Sequence, residues 1–239
     1  MALRVEKDVE MVAQFQRLMV KMELQNVLYL SYLVPVDRLR PMVPPGLRLN
    51  ATGSAVFLSI VAMQCRKVHL SFLGWPSVSY DQLNLRTYVI DPKTGDPAVY
   101  FFRSGVSSNL IPVATRLLGI PWERISFSLA AEQDGSGADF YKAAGDWNGE
   151  IEIQMKSAPA EDSDATVIDV ITGPLAGFIG SGERLKRIAI KHQVLDVRRL
   201  SLLQIRFPLP VEAGLLAAPE LEKPDSVLIV PESQFSVFI

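Results

Sequence analysis

The residues best suited to chemistry lie in one stretch, Tyr80-Asp-Gln-Leu-Asn-Leu-Arg-Thr-Tyr-Val89. In an extended chain successive side chains alternate between two faces, so Gln82, Asn84, Arg86 and Tyr88 point one way while Leu83, Leu85, Thr87 and Val89 point the other. An all-polar face has two readings. It is the water-facing side of an ordinary antiparallel strand, or it lines the inside of a barrel, where amide, guanidinium and phenol groups recognise a polar ligand.

The second reading carries a condition. Arginine cannot shed its proton to escape burial, so an interior Arg86 needs a carboxylate, from the protein or from a ligand. Glu123 is the best internal candidate. As catalytic groups only Tyr88 and Glu123 offer themselves, each as a proton donor or acceptor.

Other constellations are absent. There is no phosphate-binding glycine loop followed by Lys-Ser/Thr and no Gly-x-Gly-x-x-Gly. Gly180-Ser-Gly182 lacks the spacing of a nucleophile elbow, and Gly135-Ser-Gly137 reads as a hairpin tip. His69 and His192 stand apart, outside any paired-ligand motif, so no metal and no cofactor is expected. Cys65 is the only cysteine. It forms no intramolecular disulfide and reads as a small core filler, which suits a reducing, cytoplasmic compartment. The 24 basic and 26 acidic residues are interspersed. They leave no basic stripe for nucleic acid. No apolar run approaches the roughly 18 residues of a membrane span, and the N-terminus lacks a secretory signal pattern.

The elements that must position the polar face read mostly as strands. Val27–Val34 is a buried strand ending at Pro35, Val36–Val43 a short helix stopped by Pro44-Pro-Gly46, and Ala55–Met63 a central strand apolar on both faces. Further strands are expected at 82–90, 98–104, 124–132, 149–157 and 165–172, with extended chain at 200–209 and 226–230. Residues 184–191 suit either helix or strand. Asp91–Pro97 and Ala158–Asp164 carry turn chemistry and read as hairpin loops. Val5, Val9, Val12, Phe15, Met19 and Met22 fall at spacings of three and four, which predicts an amphipathic N-terminal helix, within residues 1–24, packed on the barrel or on a partner. No repeat or composition break divides residues 1–239, so one domain is expected.

Tyr32, Asp37, Leu39, Val43-Pro-Pro-Gly-Leu47, Tyr80-Asp-Gln82, Asn84-Leu-Arg-Thr-Tyr-Val89 and Gly119-Ile-Pro121 together resemble the acetoacetate decarboxylase-like superfamily. The nearest pattern is that of an uncharacterised branch whose strand reads Glu-x-Asn-x-Arg-Thr-Tyr-Val and whose later segment reads Gly-Leu-Pro. The resemblance covers most of residues 26 to 210. It implies a mostly antiparallel β-barrel or cone with an internal cavity, assembled as a homo-oligomer.

The decarboxylases' own chemistry does not transfer position by position. Their Tyr-Pro pair precedes two lysines, one forming the Schiff base, whereas here Ile120-Pro121 precedes Trp122-Glu123. Their strand glutamate falls at Gln82 and their N-terminal arginine near Gln25. An amide exchanges no proton near neutral pH, and an imine needs a neutral lysine. Lys142, beside Tyr141 and Trp147, is the relocated lysine worth following. Its segment, Asp139–Trp147, reads as an exposed hairpin whose aromatics, like Trp75-Pro76, cover a barrel end or meet a partner. Arg103, Glu123 and Arg124 suit a surface charge network equally well.

Three functions are expected in order. The first is a barrel that binds a small, anionic organic acid or oxygen-rich metabolite through Gln82, Asn84, Arg86 and Tyr88 without Schiff-base decarboxylation. The second is a metal-independent lyase or decarboxylase acting on an oxo acid, and the third a non-catalytic interaction scaffold.

Overall fold

The computed structural model describes residues 19–72, 76–133, 139–158 and 165–239. β1 (Met19–Pro35) runs through the Val27–Val34 stretch and leads into the short helix α1 (Val36–Leu39), which tightens to a 3-10 turn at Arg40–Met42. The strand series continues with β2 (Arg48–Leu49), β3 (Ala55–Leu70), β4 (Val78–Ile90) and β5 (Pro97–Val106). After α2 (Leu110–Leu117) come β6 (Glu123–Arg124), β7 (Ser126–Gln133), β8 (Asp139–Asp146) and β9 (Glu150–Ser157). Then follow α3 (Ala165–Thr172), β10 (Ala176–Ile179), β11 (Lys186–His192), β12 (Arg198–Arg206), α4 (Leu209–Glu212), α5 (Ala218–Leu221) and β13 (Ser226–Phe238).

Seven strands close on themselves in the order β1-β3-β4-β5-β10-β11-β13, because β13 pairs back onto β1. All neighbours are antiparallel except β5 and β10. The expected mostly antiparallel barrel is therefore present, with one parallel seam. Closure needs strands that bend, and bulges provide it. The register slips between Gln25 and Leu28 on β1 and between Cys65 and Val68 on β3, where Asn26 and Lys67 both take φ 49°.

Four strands, β12-β9-β8-β7, form a second sheet that continues from the barrel through the pairing of β12 with β13. Between it and the barrel lies a large apolar core that joins Leu28, Leu58, Leu83 and Leu85 to Phe127, Ile153 and Met155. A separate cluster occupies the other face of the barrel strands: Val27, Tyr29, Phe57, Val61, Tyr80, Tyr88, Val99, Val106 and Leu228, with Ile171 of α3. Alternation along β4 thus sends Leu83 and Leu85 out to the second sheet and Tyr80 and Tyr88 into the barrel.

Two expectations are corrected. The expected N-terminal helix does not extend through residues 19–22, which begin β1 with Met19 opposite Phe238 and Val20 opposite Leu70; residues 1–18 lie outside the described residues. Residues 165–172 form a helix, not a strand. Their β-branched residues suit a strand, but Val167, Ile168 and Ile171 share one helical face, and that face packs on the barrel interior. As a consequence the polar loop before them, whose residues 159–164 are outside the described set, joins a strand to a helix and is not a hairpin. The Asp91–Pro97 turn does join two paired strands. The ambiguous 184–191 stretch is mostly strand.

Candidate functional site

The polar face of β4 is buried. Gln82 is 6 % exposed, Asn84 2 % and Tyr88 0 %, while Arg86 is half-buried. The water-facing reading of this strand is excluded by those values.

Register explains which neighbours these residues meet. Arg86 sits opposite Ser59 on β3, which sits opposite Ser31 on β1, and a bulge on the other side brings Phe101 of β5 opposite Arg86. Asn84 lies between Val61 and Ser104, and Gln82 between Met63 and Val106. Gly177 on β10 lets the Phe101 ring cross its backbone, since an added Cβ would stand 2.8 Å from Phe101 Cε2.

Arg86 meets π faces and a helix end. Its guanidinium carbon stands 5.3 Å from the Tyr29 ring centroid and 5.5 Å from that of Tyr88. Nη2 donates to the carbonyl oxygen of Ile171 at 2.8 Å and, more loosely, to Tyr88 Oη at 3.4 Å. Ile171 lies in the last turn of α3, where carbonyls lack partners within the helix and the helix dipole is negative, so a cation is favoured there. Burial works against the charge, yet the Tyr88 and Tyr29 phenols hold the guanidinium protonated beyond its ordinary range. Nε is sealed from solvent and has no partner.

Tyr88 also ends a chain of hydroxyls. It donates to Ile171 O at 3.2 Å. Ser59 then donates to Tyr88 at 2.8 Å and Ser31 to Ser59 at 2.7 Å, so that each proton is used once. Above Arg86 a second chain runs from Cys65 Sγ to Gln82 Oε1 at 3.6 Å and from Gln82 Nε2 to Asn84 Oδ1 at 2.9 Å. Burial pushes the Cys65 thiol up to about 12, so it carries no thiolate at neutral pH.

Glu123 is not the partner of Arg86. It takes both Nε (2.8 Å) and Nη2 of Arg103 and accepts from Trp147 Nε1 at 3.0 Å. Arg103 lies 5.0 Å from the Trp147 ring centroid, and Trp147 stacks on Phe207. This cluster ties β5 to the second sheet. Although burial opposes it, Arg103 and Trp147 together hold the Glu123 carboxyl below its ordinary range, which makes it a poor proton donor near neutrality. Among the described residues no carboxylate pairs with Arg86.

The remaining candidates are dispersed. Tyr141 and Trp147 are buried, so Asp139–Trp147 is no exposed aromatic hairpin; its lysine, Lys142, points outward. Every lysine among the described residues is exposed. His69 Nδ1 contacts the Lys67 carbonyl at 2.7 Å, and His192 packs on Phe235. Trp75 lies outside the described residues. Arg124 donates to Asn109 at 2.7 Å, a surface contact. Among the described residues no three His, Cys, Asp or Glu side chains converge as metal ligands, and no helix is long and apolar enough to cross a membrane. Clefts of about 550 Å³ beside Phe207 and Leu221 and about 310 Å³ beside Asp96 and Arg187 are not lined by Gln82, Asn84, Arg86 or Tyr88.

Sequence reasoning missed Tyr29, Ser31, Ser59, Ser104 and Trp122. Ser104 Oγ and Trp122 Nε1 share with Arg86 Nε the state of being buried without a partner. Each such atom costs about 1–3 kcal/mol in an otherwise satisfied interior. The signal available for the serines was a single serine inside a run of apolar and aromatic residues, as at Ser31 within Val27–Val34 and Ser59 within Ala55–Met63.

Known proteins share this architecture. The sequence profile of DUF2071, described as an uncharacterized conserved protein, matches residues 21–234. Among solved structures, acetoacetate decarboxylase from Legionella pneumophila superposes with a TM-score of 0.58 at 14% identity, covering 93% of this chain and 86% of its own. The enduracididine biosynthesis enzyme MppR, complexed with the condensation product of pyruvate and imidazole 4-carboxaldehyde, gives 0.57 at 16% identity over 92% and 86%. An acetoacetate decarboxylase-like enzyme from Sphingomonas wittichii gives 0.55 at 12% identity over 92% and 89%. At such identities the likeness is one of fold. No curated protein matches the sequence significantly.

Proposed function

The chain belongs to the DUF2071 family of uncharacterized conserved proteins, and from that premise we propose that its barrel is a receptor for a small organic anion. Arg86 holds the ligand's charge, with Gln82, Asn84 and Tyr88 around it, and no Schiff base forms. One observation carries this reading: a guanidinium inside the barrel whose Nε has no partner and which no carboxylate among the described residues neutralises. A buried cation of this kind is costly unless a counter-ion arrives.

The same fold in MppR is complexed with pyruvate, a small acid, which supports the class of ligand. The outward direction of every described lysine supports binding without an imine.

A second reading, an enzyme acting on an oxo acid, is favoured by the Ser31–Ser59–Tyr88 hydroxyl chain, which delivers a proton route to the ring beside Arg86. Tyr88 would then be the proton donor. A homo-oligomer belongs to the same proposal, with the exposed Leu110, Val113 and Leu117 of α2 as a contact ridge.

Native mass spectrometry of the purified protein, followed by denaturing extraction, tests the receptor. The expected result is a defined small acid that travels with the wild type and is missing from Arg86→Met. Retention of the same molecule by Arg86→Met would place the site elsewhere.

A further inference from the structure

The two sides of α3 have different surroundings. Val167, Ile168 and Ile171 pack on the interior cluster that holds Tyr29 and Tyr88. At about 100° per residue, Asp169 and Gly173 fall on the opposite side of the helix, and there they line the cleft of about 310 Å³ that Asp96, Pro97 and Arg187 also line. A single helix thus separates a packed interior from open space.

Its hold on the interior centres on one backbone oxygen. Ile171 O accepts from Arg86 Nη2 at 2.8 Å and from Tyr88 Oη at 3.2 Å. Those are two of the groups that an anion in the barrel would need. Arg103 shows how a guanidinium of this chain takes a carboxylate, with Nε and Nη2 engaging the two oxygens of Glu123. At Arg86 the same edge is closed, because Nη2 is held by Ile171 and Nε is buried away from solvent. A carboxylate reaches that edge only when the Ile171 carbonyl leaves it.

The exchange is favourable in kind. A carboxylate is a charged acceptor where the peptide carbonyl is neutral, and hydrogen bonds to an ionised group are roughly twice as strong. The chain also breaks directly after Ile171 and Thr172. Gly173 N donates to Asp169 O at 2.8 Å, and a Cβ on Gly173 would stand 2.6 Å from that oxygen, so only glycine closes this turn unstrained. Pro174 follows, and its ring cannot continue the helix.

Resting on the reading of Arg86 as an anion receptor, we propose that α3 is a plug that the ligand displaces. The Ile171 carbonyl holds the ligand's place on Arg86 and Tyr88, and binding moves the end of α3 toward the cleft beside Asp169. Apparent affinity is then the affinity of the open barrel reduced by the fraction of molecules that are open. Whatever loosens α3 tightens binding.

The test uses hexanoate as the probe anion, titrated calorimetrically into the full chain and into Gly173→Ala, Ile168→Ala and Arg86→Met, with amide hydrogen exchange followed over residues 165–173. Gly173→Ala forces the last turn apart, and Ile168→Ala trims the packed face. Both variants should bind hexanoate about tenfold more tightly than wild type, and saturating hexanoate should speed exchange of the α3 amides in wild type. If hexanoate binds and Arg86→Met abolishes binding, but the two α3 variants bind no more tightly than wild type and the α3 amides exchange no faster with ligand, the receptor stands and the plug inference falls. Should hexanoate bind neither wild type nor the α3 variants, or bind Arg86→Met as it binds wild type, the receptor reading itself fails.

Discussion

Arg86 on β4 donates to the carbonyl of Ile171 at 2.8 Å, so one barrel strand closes the C-terminal end of a helix remote from it in sequence. The contact fills one position on the guanidinium and leaves Nε empty. At Arg103 the same two nitrogens, Nε and Nη2, both engage Glu123. Arg103 shows a satisfied arginine of this chain, and Arg86 a half-satisfied one.

Arg86→Met should therefore cost little stability. Methionine fills similar volume without a charge, and replacing buried ionic groups by apolar ones is often neutral or stabilising. Denaturant melts should place the variant within about 1 kcal/mol of wild type, or above it. A loss beyond about 3 kcal/mol would mean that Arg86 is a structural cap on α3 and nothing more.

Tyr88→Phe removes the hydroxyl that links Ser59 to Ile171. The expected cost is about 1–2 kcal/mol, as is that of Ser59→Ala. Because the two groups share one hydrogen-bonded chain, the double variant should cost less than the sum, with a coupling of about 0.5–1 kcal/mol. Strict additivity would show that the chain is not formed.

Acid should weaken the fold through Asp91, whose side chain is wholly buried against Arg187 at 2.6 Å. Burial opposes its charge, but the Lys93 amide and Arg187 outweigh it and hold the carboxyl below its ordinary value. A depressed folded-state pKa gives stability that is complete above the unfolded value, near pH 4, and is lost as pH falls through the folded one. Asp91→Asn should thus cost about 2–3 kcal/mol at pH 7, less than a fully enclosed pair because Arg187 keeps some exposure. Unfolding curves of wild type and variant should converge only once the pH has fallen below the folded-state value. A difference that persists there would contradict the assignment.

Incubation with pyruvate or acetoacetate under borohydride should leave the protein's mass unchanged, because imine formation needs a lysine neutralised by burial or neighbouring charge. Lys142, on the outer face of β8, has neither surrounding. A stable adduct on any lysine would return the protein to Schiff-base chemistry.

The alternation of β4 was legible in sequence, and with it the shared face of Gln82, Asn84, Arg86 and Tyr88. Period alone does not say which face is inside; that follows from closure of the barrel by β13 on β1, a pairing of distant segments. For the same reason Ser31 and Ser59 could not be placed beside Arg86, since their register depends on bulges near Asn26 and Lys67. Residues 165–172 misled because β-branched composition outvoted spacing. Glu123 misled because the sequence offers several arginines as partners, Arg86, Arg103 and Arg124 among them, and only the strand geometry assigns it to Arg103.

The central claim is that the barrel holds an organic anion on Arg86, and titration of wild type, Arg86→Lys and Arg86→Met with linear monocarboxylates from acetate to octanoate and their oxo counterparts tests it most directly. The account predicts saturable binding in wild type, weakened about tenfold in Arg86→Lys, which cannot present the planar fork, and lost in Arg86→Met. Affinities in Arg86→Met within about twofold of wild type, well under 1.4 kcal/mol, would contradict it.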